Sequence, residues 1–150
     1  MPAGNVITIL EEQIGETLRF LGALTEEKAR HRYAPGKWSI KEIVGHLADA
    51  ERILTYRGLR FARGDATPLP GFEQDDYVQP SGADRRPLED LLAELACVRR
   101  ASLHLFRGFD ADAWARRGVA SDREIAVRAV PFILAGHERH HLATIRERYL

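Results

Sequence analysis

A single cysteine, Cys97, stands in this chain of 150 residues, which excludes an internal disulfide framework and any thiolate metal site built from a cysteine pair. No stretch approaches the ~20 consecutive apolar residues that cross a bilayer. The opening segment MPAGNVITILEEQIGE lacks a basic region followed by a long apolar run, so neither secretion nor membrane spanning is expected. An excess of one charge is missing too, because 22 basic and 22 acidic residues cancel. A protein that grips phosphate backbones carries a basic footprint, so nucleic acid is not an expected partner. Lysine is scarce, three residues against nineteen arginines, which reflects genomic composition rather than chemistry. Internal repeats and low-complexity tracts are absent. These absences leave a cytosolic globular protein, and the length suits one domain over residues 1–150 with a core that closes without disulfides.

Val6, Leu10, Ile14, Leu18, Leu21 and Leu24 recur at intervals of three and four, the apolar stripe of an amphipathic helix from Asn5 to about Ala29. Ala34, Pro35 and Gly36 then interrupt the chain. Ser39, followed three residues later by Glu42, forms a capping box that opens a second helix running to about Arg63. From Gly64 to Arg86 the composition shifts to Gly, Pro, Asp and Gln without a sustained period, which reads as a long connection. Pro87 suits the first turn of a third helix, whose apolar face continues through Leu88, Leu92, Leu95, Ser102 and Phe106 to an end near Gly108. After a linker carrying Asp110, Trp114 and Gly118, a fourth helix runs to the end of the chain. Ser121 and Glu124 imitate a capping box, but a start there would place Pro131 deep inside the helix and kink it. A start near Val127 is therefore expected.

Four helices, each with one apolar stripe, imply an all-α fold, a four-helix bundle. The first and third linkers are short enough for antiparallel neighbours. The middle one can return along the whole length of a helix, since an extended residue spans ~3.3 Å and a helical one ~1.5 Å. Helices two and three are expected to run parallel, joined by that long crossover.

His137, His140 and His141 crowd into the final helix. Residues four apart share a helix face, so His137 and His141 can aim at one point. Advancing ~100° per residue turns His140 outward. A lone helical histidine is more often a satisfied core or surface side chain, but three within five residues favour metal binding. The expected third ligand is His46, on the flank of the second helix's stripe in the row with Ile43, Ala50 and Ile53. Gly45 beside it permits close approach by a neighbour. Three neutral imidazoles with one open position form a catalytic rather than a structural ligand set, since structural zinc takes four protein ligands.

Glu51 and Glu138 fall near the middle of their apolar stripes, where an unpaired carboxylate is costly to bury. Either an ion pair with arginine answers that cost, or the glutamates support a metal-bound histidine or carry out general acid–base work. They are the candidate catalytic residues. Trp38 is expected as a hydrophobic plug at the start of the second helix, and Cys97 as a small buried residue without an activating base. His31 and His104 remain ordinary polar residues.

The segment KWSIKEIVGHLADAE, followed about ninety residues later by VRAVPFILAGHERHHLATIRERYL, resembles the DinB-like superfamily of DinB/YfiT-like metalloenzymes, and the resemblance spans nearly the whole chain. It implies an up-down-down-up bundle and a divalent metal, zinc or nickel, held by His46, His137 and His141. It also implies a homodimer and a small-molecule substrate. Characterised relatives include S-transferases and isomerases that use bacillithiol, mycothiol or glutathione, with some proposed hydrolases. The expected function is a metal-dependent enzyme in which the open position activates a thiol or water and Glu51 or Glu138 moves the proton. Thiol-dependent S-transfer stands slightly ahead of hydrolysis, by analogy alone. The alternative is a non-catalytic dimeric metal-binding or stress-response module. A di-iron site, suggested by the Glu138-x-x-His141 step, would need a second such step, and Ile43 occupies that place before His46.

Overall fold

The computed structural model describes residues 3–150, so residues 1 and 2 of the expected domain lie outside the described residues. The first long helix, α1 (Ala3–Gly22), stops short of the expected Ala29. The Thr25 side chain accepts a hydrogen bond from the Lys28 N–H and starts a separate short helix, α2 (Glu26–Ala29). A capping side chain offers the backbone an alternative to continuing the first helix. The second long helix, α3 (Ile40–Ala62), opens on the expected capping box. Ser39 Oγ accepts from the Glu42 N–H at 3.1 Å and the Glu42 carboxylate accepts from the Ser39 N–H at 3.0 Å.

The crossover contains structure that its composition hides, namely α4 (Gln74–Ser81) and a 3-10 turn at Ala83–Arg85. Gly82 lies between them at φ 68°, a left-handed conformation suited to glycine. Pro87 sits immediately before α5 (Leu88–Arg107), and the Leu88 N–H donates to the Glu26 carboxylate at 2.7 Å. The linker after α5 folds as α6 (Ala111–Ala115) and an antiparallel hairpin of β1 (Arg117–Ala120) and β2 (Arg123–Ala126). Ser121 and Asp122 form its two-residue turn with φ of 52° and 62°, the double positive φ of a type I′ turn. Leu69 of the crossover joins the hairpin, donating to Val119 O at 2.9 Å and accepting from the Ser121 N–H at 3.1 Å. The last long helix, α7 (Val130–Thr144), takes the later of the two possible starts. A 3-10 turn at Val127–Ala129 precedes it and Pro131 falls in its first turn, while a π-helical turn, Ile145–Tyr149, follows.

Side-chain pairs fix the helix directions. Gln13 with Ala135 and Thr17 with Glu138 set α1 parallel to α7. Lys41 with Arg86 and Glu51 with Arg99 set α3 parallel to α5. His46 with His137, and Gly58 against Val130, set α3 antiparallel to α7. The topology is up-down-down-up, as the linker lengths and the resemblance implied.

Each long helix repeats one layering. At one end Leu21, Ile43, Leu95 and Leu142 build an apolar cluster, and at the other Leu10, Phe61, Phe106 and Leu134 build a second. Between them every helix contributes buried polar groups: Thr17 of α1, Glu51 of α3, Arg99 of α5 and Glu138 of α7. The histidines lie on α3 and α7, close in sequence to the glutamates of this polar layer.

Candidate metal centre

The antiparallel pairing of α3 and α7 brings His46 against His137 and His141, which are one helical turn apart. His137 Nε2 lies 3.0 Å from His46 Nε2 and 3.1 Å from His141 Nε2. One ring nitrogen from each of the three lies within 4.8 Å of the others, and among the described residues this is the one group of three or more His, Cys, Asp or Glu donors so placed. The rings meet edge-on, at interplanar angles of 71°, 72° and 83°. Each Nε2 offers either one lone pair or one N–H, so His137 cannot complete both contacts well by proton sharing. A shared cation can. Nitrogen ligands about 2.1 Å from such an ion and 3.0 Å apart subtend roughly a right angle, so the donor set fits a divalent metal.

Electrostatics keep these rings unprotonated. Burial, then the charge of His137, pushes His46 down from 6.5 to about 4, and the charge of Asp75 partly opposes the shift. Burial and the neighbouring rings push His141 down to about 3. His137 is lowered by burial and by His140, against an upward pull from Glu138. Neutral imidazoles present the lone pairs that metal coordination requires. His140 is exposed, as its helical angle implied.

Trp38 does more than plug the entrance to α3. Its ring packs 4.8 Å from His46 and lies nearly parallel to His141, at 22° and 6.1 Å. The Tyr149 hydroxyl donates to the Trp38 carbonyl at 2.6 Å. A cleft of about 430 Å³ opens beside these rings, lined by Tyr33, Lys37, Trp38, Asp75, His140 and His141 among others. Gly45 serves the close approach its position suggested, because a Cβ there would meet Ala83 Cβ of the crossover at 3.2 Å.

The two glutamates take the ion-pair alternative. Glu51 and Glu138 both face Arg99, and the Thr17 hydroxyl donates to Glu138. Both are buried in the bundle interior and neither lines the cleft. The charge of Glu138 still acts on His137. The pairing also removes Glu138 from the di-iron step with His141. The carboxylate that reaches the open side is Asp75, in the first turn of α4, which sequence reasoning missed. Its only signal was the acidic pair Asp75–Asp76 following the proline- and glycine-rich stretch, a pattern suited to a helix N-terminus. Cys97 also departs from expectation, since it is exposed on α5 rather than buried.

An up-down-down-up helical bundle with three histidines gathered between its second and last long helices defines the class of the protein. Residues 9–145 match the DinB superfamily, and the chain belongs to it. It is 29% identical over 137 residues to a candidate metal-dependent hydrolase of Oceanobacillus iheyensis, a match covering 89% of this chain and 76% of that protein. Its fold matches YfiT from Bacillus subtilis, described as a probable metal-dependent hydrolase with an unusual four-helix bundle topology. The TM-score is 0.83 at 19% identity, covering 97% of this chain and 84% of the other. It also matches a mycothiol-dependent maleylpyruvate isomerase with a TM-score of 0.79 at 14% identity, covering 95% of this chain and 60% of that one. Among the described residues no helix is long and apolar enough to cross a membrane.

Proposed function

We propose that the protein is a metal-dependent hydrolase of a small molecule, with His46, His137 and His141 holding a divalent cation. The convergence of three Nε2 atoms, with His141 on the wall of a cleft, carries this reading, and the naming of the Oceanobacillus relative favours hydrolysis. Such a cation supplies Lewis acidity, lowering the pKa of a nucleophile and polarising an electrophile. The chain's own residues do the rest. Trp38 walls the imidazoles on one side and excludes water there. The Asp75 carboxylate, on the open side and in no ion pair among the described residues, accepts a proton. The buried Glu51–Arg99–Glu138 group ties α7 to α3 and α5, and so keeps His137 and His141 aimed at His46.

The test is elemental analysis of protein purified without a polyhistidine tag, followed by hydrolysis of p-nitrophenyl acetate. One divalent metal per chain and ester cleavage abolished by a chelator support the proposal. Protein that takes up neither zinc nor nickel overturns it.

The fold shared with the mycothiol-dependent isomerase favours a second reading, in which a low-molecular-weight thiol takes the place of water. Metal-loaded protein that conjugates glutathione to an electrophile while leaving esters intact would select it.

A further inference from the structure

Further along α3, about 16 Å from His46 at ~1.5 Å per residue, a second cavity of about 350 Å³ lies between that helix and the crossover. Its size is within the range of small-molecule sites. Three arginines line it, Arg52, Arg57 and Arg60, and no acidic residue does. Two of them are answered elsewhere: Arg52 pairs with Glu94 and Asp49, and Arg60 with Asp65. Arg57 is different. It is 9% exposed, and among the described residues it forms no ion pair. Its Nη2 donates to Pro70 O at 3.1 Å and to Ser121 Oγ at 3.3 Å, both uncharged. A buried cation without an anion is costly, and here it lines a cavity whose other walls are apolar and aromatic side chains together with the two paired arginines, Arg52 and Arg60. The Phe72 and Tyr77 rings pack 5.0 Å apart on one side, the Arg57 guanidinium lies 6.0 Å from the Phe72 ring, and half-exposed Tyr56 and Tyr77 border the cavity.

We infer that this cavity binds a planar organic anion, an aromatic ring bearing a carboxylate, with the carboxylate on Arg57 and the ring among Phe72, Tyr77 and Tyr56. A guanidinium is a planar fork of donors that matches a carboxylate, and aromatic walls suit a flat ring. Arg52 and Arg60 already have carboxylate partners, so one guanidinium is left to answer, which matches a singly charged carboxylate better than a phosphate. The cavity shares no lining residue with the histidine cleft, so the inference does not depend on a metal. The competing account is that Arg57 only pins the crossover to the hairpin turn.

Calorimetric titration with benzoate and with its uncharged counterpart benzyl alcohol separates the two. Benzoate binds saturably, and benzyl alcohol binds about tenfold more weakly or less, a difference of about 1.4 kcal/mol. Arg57→Gln abolishes benzoate binding, while Arg63→Gln, at an exposed arginine beyond the cavity, leaves it intact. Tyr77→Ala, at an exposed ring, weakens binding and serves if Arg57→Gln does not fold. His137→Ala disrupts the histidine cluster and retains benzoate binding. Absent saturation, equal affinity for the two probes, unchanged binding in the Arg57 and Tyr77 variants, or loss of binding in His137→Ala would each overturn the inference.

Discussion

Arg99 of α5 joins Glu51 of α3 through two parallel hydrogen bonds, Nε to Oε1 at 2.9 Å and Nη2 to Oε2 at 3.0 Å, with both side chains buried. The same guanidinium reaches Glu138 of α7 and the Leu10 carbonyl of α1 at 3.0 Å. All four long helices therefore meet at one side chain. Arg99→Met leaves two buried carboxylates without their cation and is expected to cost about 3–5 kcal/mol, read from urea denaturation. The triple variant Glu51→Leu, Arg99→Met, Glu138→Leu removes the charges together and should recover most of that loss. A triple variant no more stable than the single one would show that the layer is not governed by charge burial.

His137 contacts both other rings through one nitrogen, whereas His140 is exposed and lies outside the three-histidine cluster. His137→Ala is expected to lose bound metal to background by elemental analysis, and His140→Ala to keep it. Circular dichroism separates metal loss from unfolding.

Asp75 and Glu138 should part company in an activity assay. Asp75→Asn is expected to lower metal-dependent ester hydrolysis by about 100-fold with metal content and melting temperature unchanged. Glu138→Gln disturbs the buried pair with Arg99, so its main effect should appear as lost stability. The reverse assignment would return the proton-transfer role to Glu138.

Acid should weaken the metal-free fold in a defined window. His46 and His141 titrate at about 4 and about 3 when folded, below the ordinary 6.5. As pH falls below 6.5 the unfolded chain binds protons first, so stability present at neutral pH is lost progressively down to about pH 3, the folded value of His141. Melting temperatures of chelator-treated protein should fall across that range, and His46→Gln together with His141→Gln should flatten the slope.

Gly118 faces Phe61 so closely that a Cβ would lie 2.0 Å from Phe61 Cδ1. Gly118→Ala must displace a buried ring or the hairpin and is expected to cost about 1–3 kcal/mol, measured by chemical denaturation. An unaffected midpoint would mean that β1 moves freely against α3.

The four long helices were legible because their signals are local: period-3.6 stripes, the Ser39–Glu42 box and Pro87 each act within a few residues. The pair of histidines on α7 was legible for the same reason, since helical spacing alone aligns His137 with His141. What required three dimensions was the partner of each buried charge. Nothing near Arg99 marks it, because its meaning arises only where α3, α5 and α7 converge. Asp75 was hidden in a crossover without periodicity, although α4 holds it over the cleft. The hairpin escaped because its turn uses Ser121 and Asp122 at positive φ instead of the usual glycine, and Ser121 with Glu124 mimics a helix start.

The bond from the Tyr149 hydroxyl to the Trp38 carbonyl makes Tyr149 a latch on the loop that shelters the imidazoles. A purification handle fused after Leu150 begins two residues beyond that latch. If the handle is oligohistidine, it also places competing ligands beside the cleft. Metal occupancy and cleft access measured on such a fusion would describe the appendage as much as the protein. Because α1 runs parallel to α7, a handle ahead of α1 emerges from the opposite end of the bundle and leaves the latch alone.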